Sequence, residues 1–512
     1  MTSGMTPAKD VPKRGTLKIA AAALAASSIE NYDFFIYGTA AALVFPDLFF
    51  PGQSPLAGAL LSFSTFAVGF LARPVGAVIF GHLGDVHGRK RSLVMVLLTM
   101  GLGTTLIGAL PTYDDIGPAA PLLLVLLRLI QGVALGGQTG GVILLALENA
   151  PSHRRGFFSS FALAGGPAGI LVGNLAFLIT DLVTTSDSFD AWGWRLPFLA
   201  SVALLGLTIY IQLRIEETKA FKRLQDSATP PQAANPPQTA KTAQAATAPQ
   251  TAKGAPIKKP VVTAAGRSPV VEALSRYPRQ IVLIGGAYIG INVTYYLFMT
   301  FAVAYGTNDD ILDMPKSRIL LGVLVGAAVQ LVMLPVAGAL SDRIGRRTMM
   351  IAGSLLLGVW AFAFWPLLNT ESPVVIAFAF IIGLGLLHTT MYGPQGAFFA
   401  ETFPTATRYS AMSLSIQVAS VIGGAVAPLI ATSLYAWTGT WLSIAVYMAA
   451  VCLITVVSVL LLPETYRNDI EEPAVRDAPS AVTTSHEAHA KEAGEAHAKE
   501  AGPGEAGTVS TA

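Results

Sequence analysis

Long apolar stretches alternate with short polar segments along most of this 512-residue chain. A helix needs roughly 20 apolar residues to cross a bilayer. On that measure the pattern predicts twelve membrane-spanning helices, six on each side of a polar segment near the middle of the sequence. The predicted spans lie near residues 18–44, 56–82, 92–112, 121–148, 157–181, 193–214, 279–304, 317–340, 348–369, 373–399, 409–435 and 440–462. The predicted fold class is an all-α membrane protein.

Composition supports a bilayer location and excludes several functions. Hydrophobic residues make up 53% of the chain and charged residues 12%, which is too little charge to cover a soluble globule of this length. The net charge of +2 argues against nucleic acid as a partner, because phosphate binding needs a concentrated basic surface. The single cysteine, Cys452, has no partner for an intramolecular disulfide. No pair of nucleophile and base, metal-ligand set or phosphate-binding loop stands out, so we expect no enzyme activity, cofactor or metal.

Two motifs recur in the two halves. The segment Gly81–Arg89 reads GHLGDVHGR and returns as GALSDRIGR at Gly338–Arg346, each copy between two apolar stretches. A second trio, Glu148, Pro151 and Arg155, returns with the same spacing as Glu401, Pro404 and Arg408. These repeats predict two pseudo-symmetric six-helix bundles, and duplicated membrane halves are typical of transporters.

The distribution of basic residues predicts the orientation. One set of short loops carries arginines and lysines at 89–91, 154–155, 343, 346–347 and 408, whereas the opposite set carries only Lys316. The positive-inside rule therefore predicts that the basic loops and both termini lie in the cytoplasm. We divide the chain into a six-helix bundle at 1–216, a disordered linker at 217–277, a second bundle at 278–466 and a disordered tail at 467–512. We expect a monomer in the lipid bilayer.

Four charged residues stand out in the interior of predicted spans, where each costs about 2.5 to 3.5 kcal/mol at a helix centre. Glu30 and Asp33 are three positions apart, on one helical face, and repulsion between two close carboxylates favours uptake and release of a proton. Arg73 and Arg128 are suited to hold a substrate carboxylate with two parallel hydrogen bonds. The structural alternative is that arginines and carboxylates neutralise one another.

Polar residues in three spans are candidate substrate contacts. They share helical faces in the fourth span (Arg128, Gln131, Gln138), the seventh (Tyr288, Asn292, Tyr295) and the tenth (His388, Tyr392, Gln395). Their donors and acceptors suit a small polar ligand. For His388 the alternative is a hydrogen-bonded core residue, despite the favourable ordinary pKa of histidine.

The repeated loop motif is a candidate conformational latch. Its glycines, including Gly81 and Gly88, permit tight turns and close helix approach. Asp85 and Asp342 can bind the positive end of a neighbouring helix or an adjacent arginine. The full set of predicted gate residues is Gly81, Asp85, Gly88, Arg89, Glu148, Arg155, Asp342, Arg346, Glu401 and Arg408. The alternative is a purely topological role for the basic residues.

The paired loops resemble the signature motif of the major facilitator superfamily, over about residues 18–465. Further segments resemble its metabolite:proton symporters: Glu30–Gly38, Arg73–Gly76, Arg128–Gly132, Arg154–Gly156 and Glu401–Tyr409. That group takes up small organic acids and zwitterions such as ketoglutarate, citrate, shikimate, proline and betaine. The resemblance implies that Glu30 and Asp33 couple protons and that the two halves rock to give alternating access.

The resemblance also implies that Arg73 and Arg128 are cations of the substrate cavity and that Asp85 and Arg89 belong to the gate. The chain departs from the family pattern at Gln138, where an acidic residue is usual. A glutamine carries no proton, so either coupling depends on Glu30 and Asp33 or the substrate differs in charge.

With this resemblance, we predict a proton-coupled symporter of the bacterial inner membrane that imports a small carboxylate-bearing metabolite or zwitterion. Two alternatives are open. One is an efflux antiporter, suggested by the Gly165–Gly169 segment in the fifth span. The other is a transporter-like sensor that binds its ligand without moving it.

Overall fold

The computed structural model describes residues 13–76, 79–80, 83, 89–136, 141–148, 150–214, 269–404 and 407–466. The described part is helical apart from turns and short connections, without β-strands. Its long helices follow the spans that the apolar pattern predicts, and the all-α membrane fold is confirmed. The predicted tail and the predicted linker up to residue 268 lie outside the described residues. The last part of the linker, 269–277, is described and contains a helix at Pro269–Arg276, so the prediction of disorder is wrong there.

The first half contains helices α1 to α6. They are α1 (Lys13–Leu43), α2 (Pro55–Gly76), α3 (Arg89–Gly108), α4 (Ala119–Gly136 and Gly141–Glu148), α5 (Ser152–Val183) and α6 (Leu196–Arg214). Short helices at Phe45–Phe49, Tyr113–Ile116 and Ser186–Ala191 lie in connections between them.

The second half contains helices α7 to α12. They are α7 (Pro278–Thr307), α8 (Lys316–Ile344), α9 (Arg346–Leu368), α10 (Pro373–Glu401), α11 (Arg408–Thr438) and α12 (Trp441–Leu460). A short helix at Pro269–Arg276 precedes α7. Within the described ranges, nine helices are long and apolar enough to cross a membrane, and two shorter apolar helices, Val94–Gly108 and Gly193–Gly206, accompany them.

Local sequence signals set several helix ends. Ser54 precedes α2, accepts a hydrogen bond from the backbone N–H of Ala57 at 3.3 Å, and is followed by Pro55 in the first turn. Proline suits this position because its missing N–H would have no helical partner there. Gly345 separates α8 from α9 with φ of +107°, a conformation that side chains disfavour. The geometry of this motif turn therefore depends on glycine at position 345.

The two halves meet mainly through α5 and α8, with α2 packing against α11. At one end the backbones of α5 and α8 touch, since a Cβ atom added to Gly338 would collide with the carbonyl oxygen of Gly156. At the middle, Phe34, Phe66 and Phe70 of the first half pack around Tyr296 of the second. The interface thus contains both close backbone contact and an aromatic cluster.

Three helices of the second half contain π-helical turns. These lie at Leu297–Phe301 in α7, Ile381–His388 in α10 and Val421–Ala425 in α11. A π turn inserts an extra residue, rotates the side chains that follow and is frequent at functional sites. The first turn directly follows Tyr296, the second includes His388 and the third includes Gly424. Tyr296 and Gly424 both lie against Phe70 of the first half.

Candidate functional site

Arg128 is a deeply buried cation in α4, with 1% of its surface exposed. Its Nη1 donates to Oε1 of Gln131 at 3.2 Å, while Nε and Nη2 have no hydrogen-bond partner among the described residues. No carboxylate of the described part pairs with it. Gly69 of α2 makes room for the side chain, because a Cβ there would lie 2.6 Å from Nε. Arg128 therefore has unused donor capacity for an anion.

Aromatic rings surround this guanidinium and that of Arg73. The Arg128 Cζ atom lies 4.1 Å from the ring centroid of Tyr37, 4.8 Å from Phe66 and 4.9 Å from Phe34. Cation–π attraction partly replaces the hydration that burial removes. The aromatic shell can thus hold a cation at membrane depth without an acidic partner.

Arg73 of α2 reaches from the first half to the second. Its Cζ atom lies 3.9 Å from the ring centroid of Phe70 and 4.9 Å from that of Phe34. The guanidinium also interacts with the hydroxyl of Tyr296 in α7. Tyr296 was not among the predicted site residues, although its neighbour Tyr295 was; the paired tyrosines were the signal that could have found it.

Asp33 of α1 is buried, with 7% of its surface exposed. Its Oδ1 has no partner among the described residues, and the hydroxyl of Thr104 in α3 lies within reach of the carboxylate. The described part of the chain holds no ion pair to Asp33. Glu30 belongs to the same helix, but its side chain lies outside the described residues. An isolated buried carboxylate is expensive when charged, so Asp33 favours a bound proton or a cation.

The second half contributes a group of polar side chains to the same interface. The hydroxyls of Tyr295 and Tyr392 meet at Gly166 of α5, where a Cβ atom would lie 3.1 and 3.2 Å from them. Tyr288 lies close to both tyrosines. Three buried atoms in this group have no partner among the described residues: Tyr295 OH, Asn292 Nδ2 and Gln395 Oε1. The structure thus places Tyr295 of α7 and Tyr392 of α10 opposite α5, while Asn292 lies against Gly424 of α11.

His388 has both ring nitrogens engaged. Nδ1 lies 2.9 Å from Nε2 of Gln330, and Nε2 lies 3.0 Å from the carbonyl oxygen of Ile291. Because an amide nitrogen only donates and a carbonyl only accepts, the ring is the neutral tautomer with its proton on Nε2. His388 also stacks on Tyr295 at 5.2 Å. In this arrangement it supports Tyr295 and offers no nitrogen to a ligand.

An ion-pair network joins the halves at the end that carries the basic loops. Asp342 accepts hydrogen bonds from the backbone N–H groups of Gly156 and Phe157, at 2.9 Å each, in the first turn of an α5 segment. Arg346 donates to Asp342 at 2.6 Å and to Glu401 at 3.1 Å. A carboxylate at a helix N-terminus is stabilised by the free N–H groups and the helix dipole. Asp342 therefore ties the second half directly to the first.

Sequence reasoning missed two residues of this network. Glu464 accepts from the backbone N–H groups of Arg346 and Arg347, at 3.0 Å each, and so caps α9. Thr465 donates to Glu401 at 2.7 Å. The available signal was an acidic residue directly after the last apolar span.

The first-half copy of the network is less fully described. Gly81, Asp85, Gly88 and Gln138 lie outside the described residues, as do the side chains of Arg89 and Glu148. Arg155 is buried at the start of its α5 segment. In the second half, Arg408 Nε donates to the carbonyl oxygens of Ala400 and Phe403, at 2.8 and 3.1 Å. Arg408 thus connects the start of α11 to the end of α10.

A different ion pair joins the halves at the opposite end. Lys316 Nζ of α8 lies 3.3 Å from Oδ1 of Asp190 and 4.8 Å from the ring centroid of Phe189, both in a connection of the first half. Asp47 and Asp309 lie near this pair. The halves are therefore in contact at both ends and at the aromatic cluster between them.

Two similar helical halves with polar side chains buried between them, and contacts across both ends, define a membrane transporter of the major facilitator type. The sequence profile of the family described as "Sugar (and other) transporter" matches residues 18–475. This chain belongs to that family. It is a multi-pass membrane transporter of a small molecule and not an enzyme.

Characterised relatives match along nearly the full length. The inner membrane metabolite transport protein YhjE of Escherichia coli (strain K12) is 38% identical over 456 residues, 88% of this chain and 94% of the relative. The shikimate transporter of the same strain is 37% identical over 464 residues, which cover 89% of this chain and 98% of the relative. The proline/betaine transporter of Escherichia coli (strain K12) is 29% identical over 469 residues, which cover 91% of this chain and 87% of the relative.

Solved structures confirm the fold. The proton:xylose symporter XylE bound to 6-bromo-6-deoxy-D-glucose superposes with a TM-score of 0.65 at 15% identity, covering 90% of this chain and 99% of XylE. The partially occluded inward-open form of XylE from E. coli gives a TM-score of 0.61 at 15% identity, and the match covers 89% of this chain and 99% of XylE. At this identity the likeness shows the twelve-helix major facilitator fold alone.

Proposed function

We propose that the protein is a proton-coupled symporter that imports a small carboxylate-bearing metabolite or zwitterion by alternating access. The main support is Arg128, a buried guanidinium with two unused nitrogens and no acidic partner in the described part of the chain. A substrate carboxylate would supply the missing charge and accept charge-assisted hydrogen bonds. Two of the relatives are named for shikimate and for proline/betaine, which all carry a carboxylate.

The polar residues divide into three roles in this proposal. Arg128, with Arg73, binds the substrate carboxylate, and Gln131 holds the Arg128 guanidinium in place. Asp33 and Glu30 carry the coupled proton. The donors and acceptors of the second half bind the rest of the substrate: Tyr288, Asn292, Tyr295, Tyr392 and Gln395. Because His388 has both nitrogens engaged, its role is to fix the Tyr295 ring.

The Gly165–Gly169 segment has a packing role that needs no antiport. A Cβ atom at Gly165 would collide with Ser27, and one at Gly169 would lie 2.7 Å from Asn31. These glycines thus let α5 approach α1 closely, as small residues do between membrane helices. This observation removes the main reason for the efflux alternative.

The transporter lies in the inner membrane with both termini in the cytoplasm, as the basic loops favour. The end that carries Asp342 is then cytoplasmic and the Lys316–Asp190 pair is periplasmic. The protein works as a monomer.

Uptake in proteoliposomes with a trapped pH dye tests the proposal. Ketoglutarate, citrate, shikimate, proline and betaine are added singly to vesicles under an inward proton gradient, and radiolabelled counterflow is measured in parallel. Symport predicts that one compound acidifies the lumen and accumulates. Counterflow without proton movement would contradict coupling, proton-driven export would indicate an antiporter, and binding without flux would indicate a sensor.

The network around Asp342 acts as the cytoplasmic latch. Asp342→Asn removes the charge that binds Arg346 and the helix N-terminus, and breaking a buried pair costs about 3 to 5 kcal/mol. We expect the counterflow rate to change by about tenfold or more, while the KM changes less than about threefold, because the residue acts on conformational exchange.

A matched control is Glu371→Gln. Glu371 pairs with Arg318 at 3.9 Å at the exposed opposite end, within the second half alone. An exposed pair contributes little, so this variant should transport like the wild type. An unchanged rate in Asp342→Asn would leave the motif with only its topological role.

A further inference from the structure

A chain of hydrogen bonds runs from the buried cation of Arg128 to Thr104, which lies close to the buried carboxylate of Asp33. Arg128 Nη1 donates to Gln131 Oε1 at 3.2 Å, and Gln131 Nε2 donates to Thr104 Oγ1 at 2.8 Å. The Thr104 hydroxyl in turn lies within reach of Asp33. Thr104 is wholly buried, and so is Gln131 apart from 1% of its surface. The chain crosses from α4 through α3 to α1.

The chemistry of the groups fixes the direction of these bonds. A guanidinium only donates, so Gln131 must turn its oxygen toward Arg128. Its amide nitrogen then faces Thr104, where the hydroxyl oxygen accepts. The Gln131 amide therefore cannot rotate without losing two buried hydrogen bonds, and Thr104 keeps a single proton to donate.

That proton has two possible acceptors. Thr104 Oγ1 lies 3.0 Å from the carbonyl oxygen of Met100, one turn earlier in α3, and Asp33 is the other candidate. When Asp33 is ionised, the hydroxyl can donate to the carboxylate. When Asp33 is protonated, the carboxyl group can donate to Thr104, whose own proton turns to Met100. The hydroxyl orientation thus depends on whether Asp33 holds a proton.

We propose that Thr104 is the positioning residue that couples proton binding at Asp33 to substrate binding at Arg128. The proposal rests on the proposed symport. Protonation of Asp33 reverses the bond to Thr104, changes the acceptor strength offered to Gln131, and so alters the hold on the Arg128 guanidinium. By linkage, the bound anion favours protonated Asp33 to the same degree.

The surroundings of Asp33 leave Thr104 as the connecting group. The other described titratable residue that senses the Asp33 charge is Tyr32, whose hydroxyl donates to the carbonyl oxygen of Pro197 at 2.6 Å. That bond points away from α4. The side chain of Glu30 lies outside the described residues, so each variant below is also made with Glu30→Gln.

The test compares three substitutions in proteoliposomes with radiolabelled shikimate as the probe. Thr104→Val removes the hydroxyl, and Thr104→Ser restores it. Thr105→Val is the matched control, because Thr105 also bonds the carbonyl one turn earlier, Gly101 at 2.9 Å, but meets Ser201 instead of Gln131. Counterflow reports binding and translocation, while gradient-driven accumulation reports coupling.

We expect Thr104→Val to lower accumulation by about tenfold or more, which is the effect of losing a typical coupling free energy between two sites. Counterflow should stay within about threefold of the wild type, because it does not require coupling to protons. Thr104→Ser and Thr105→Val should match the wild type in both assays. Normal accumulation by Thr104→Val would overturn the role of Thr104, and so would an equal loss of counterflow. If the wild-type protein itself shows counterflow but no accumulation, the symport on which the inference rests is overturned instead.

A second measurement needs no substrate. Infrared titration of the Asp33 carboxyl band, assigned with Asp33→Asn, should give a midpoint for Thr104→Val that differs from wild type by about half a pH unit or more, as expected for one lost hydrogen bond. Thr105→Val should keep the wild-type midpoint. Identical midpoints in all three proteins would show that Thr104 does not contact the proton site and would overturn the proposal.

Discussion

Arg128→Gln is expected to raise the KM for the transported carboxylate by about 100-fold, because two charge-assisted hydrogen bonds of about 1.5 kcal/mol each are lost. The folded protein should unfold at the same temperature as the wild type or higher. The reason is that Arg128 pairs with no carboxylate in the described part of the chain, so its removal strands no buried charge there. Counterflow kinetics and thermal unfolding in detergent measure the two effects.

Two variants control this experiment. Arg128→Lys keeps the charge but loses the planar pair of donors, and we expect a KM about tenfold above wild type. Arg279→Gln removes an exposed arginine at the start of α7 and should leave the KM unchanged. An unchanged KM in Arg128→Gln would show that the substrate carboxylate binds elsewhere. A large loss of thermal stability would favour the structural alternative, in which Arg128 neutralises an acidic residue.

Asp33→Asn is expected to abolish gradient-driven accumulation while exchange of substrate continues. With one proton per monovalent anion, a gradient of one pH unit supports about tenfold accumulation, since one pH unit is worth 1.36 kcal/mol per proton. Asparagine is nearly the same size as aspartic acid but binds no proton over this range. Accumulation should therefore fall to the level without a gradient, whereas counterflow, which needs no net proton movement, stays within about threefold of wild type.

Glu30→Gln and the double variant complete this test, because both acids lie on one face of α1. Asp310→Asn serves as the matched control, since Asp310 is exposed in a connection of the second half. Full accumulation by the double variant would remove both acids from the proton pathway. Loss of accumulation in Glu30→Gln alone would assign the coupled proton to Glu30, with Asp33 in a supporting role.

The apolar pattern was sufficient to predict the fold. Runs such as Lys316–Ile344 and Trp441–Leu460 are long enough to span a bilayer, and backbone groups in lipid must bond within one helix. The spans and the two-half repeat therefore followed from the sequence with little ambiguity. The repeated motif also indicated that Asp342 and Arg346 belong to one structural unit.

The contacts of the site needed the tertiary structure. Arg73, Arg128 and Asp33 stand out as charges in apolar runs, but their partners come from other helices. Tyr296 and Thr104 carry no such signal, because a tyrosine or threonine in a span is commonplace. They matter because α7 and α3 place them beside Arg73 and Asp33.

The sequence by itself determined that this chain forms two related six-helix bundles in a membrane, because hydrophobic length and helical hydrogen bonding are local properties. The sequence also identified the charged residues whose position within an apolar span is energetically unfavourable, which makes them candidates for a functional role. Only the tertiary structure decided that Asp342 binds the N-terminus of an α5 segment, that His388 has no open nitrogen, and that Gln131 connects Arg128 with Thr104. Those contacts join residues far apart in the chain, and their distances depend on how the helices pack.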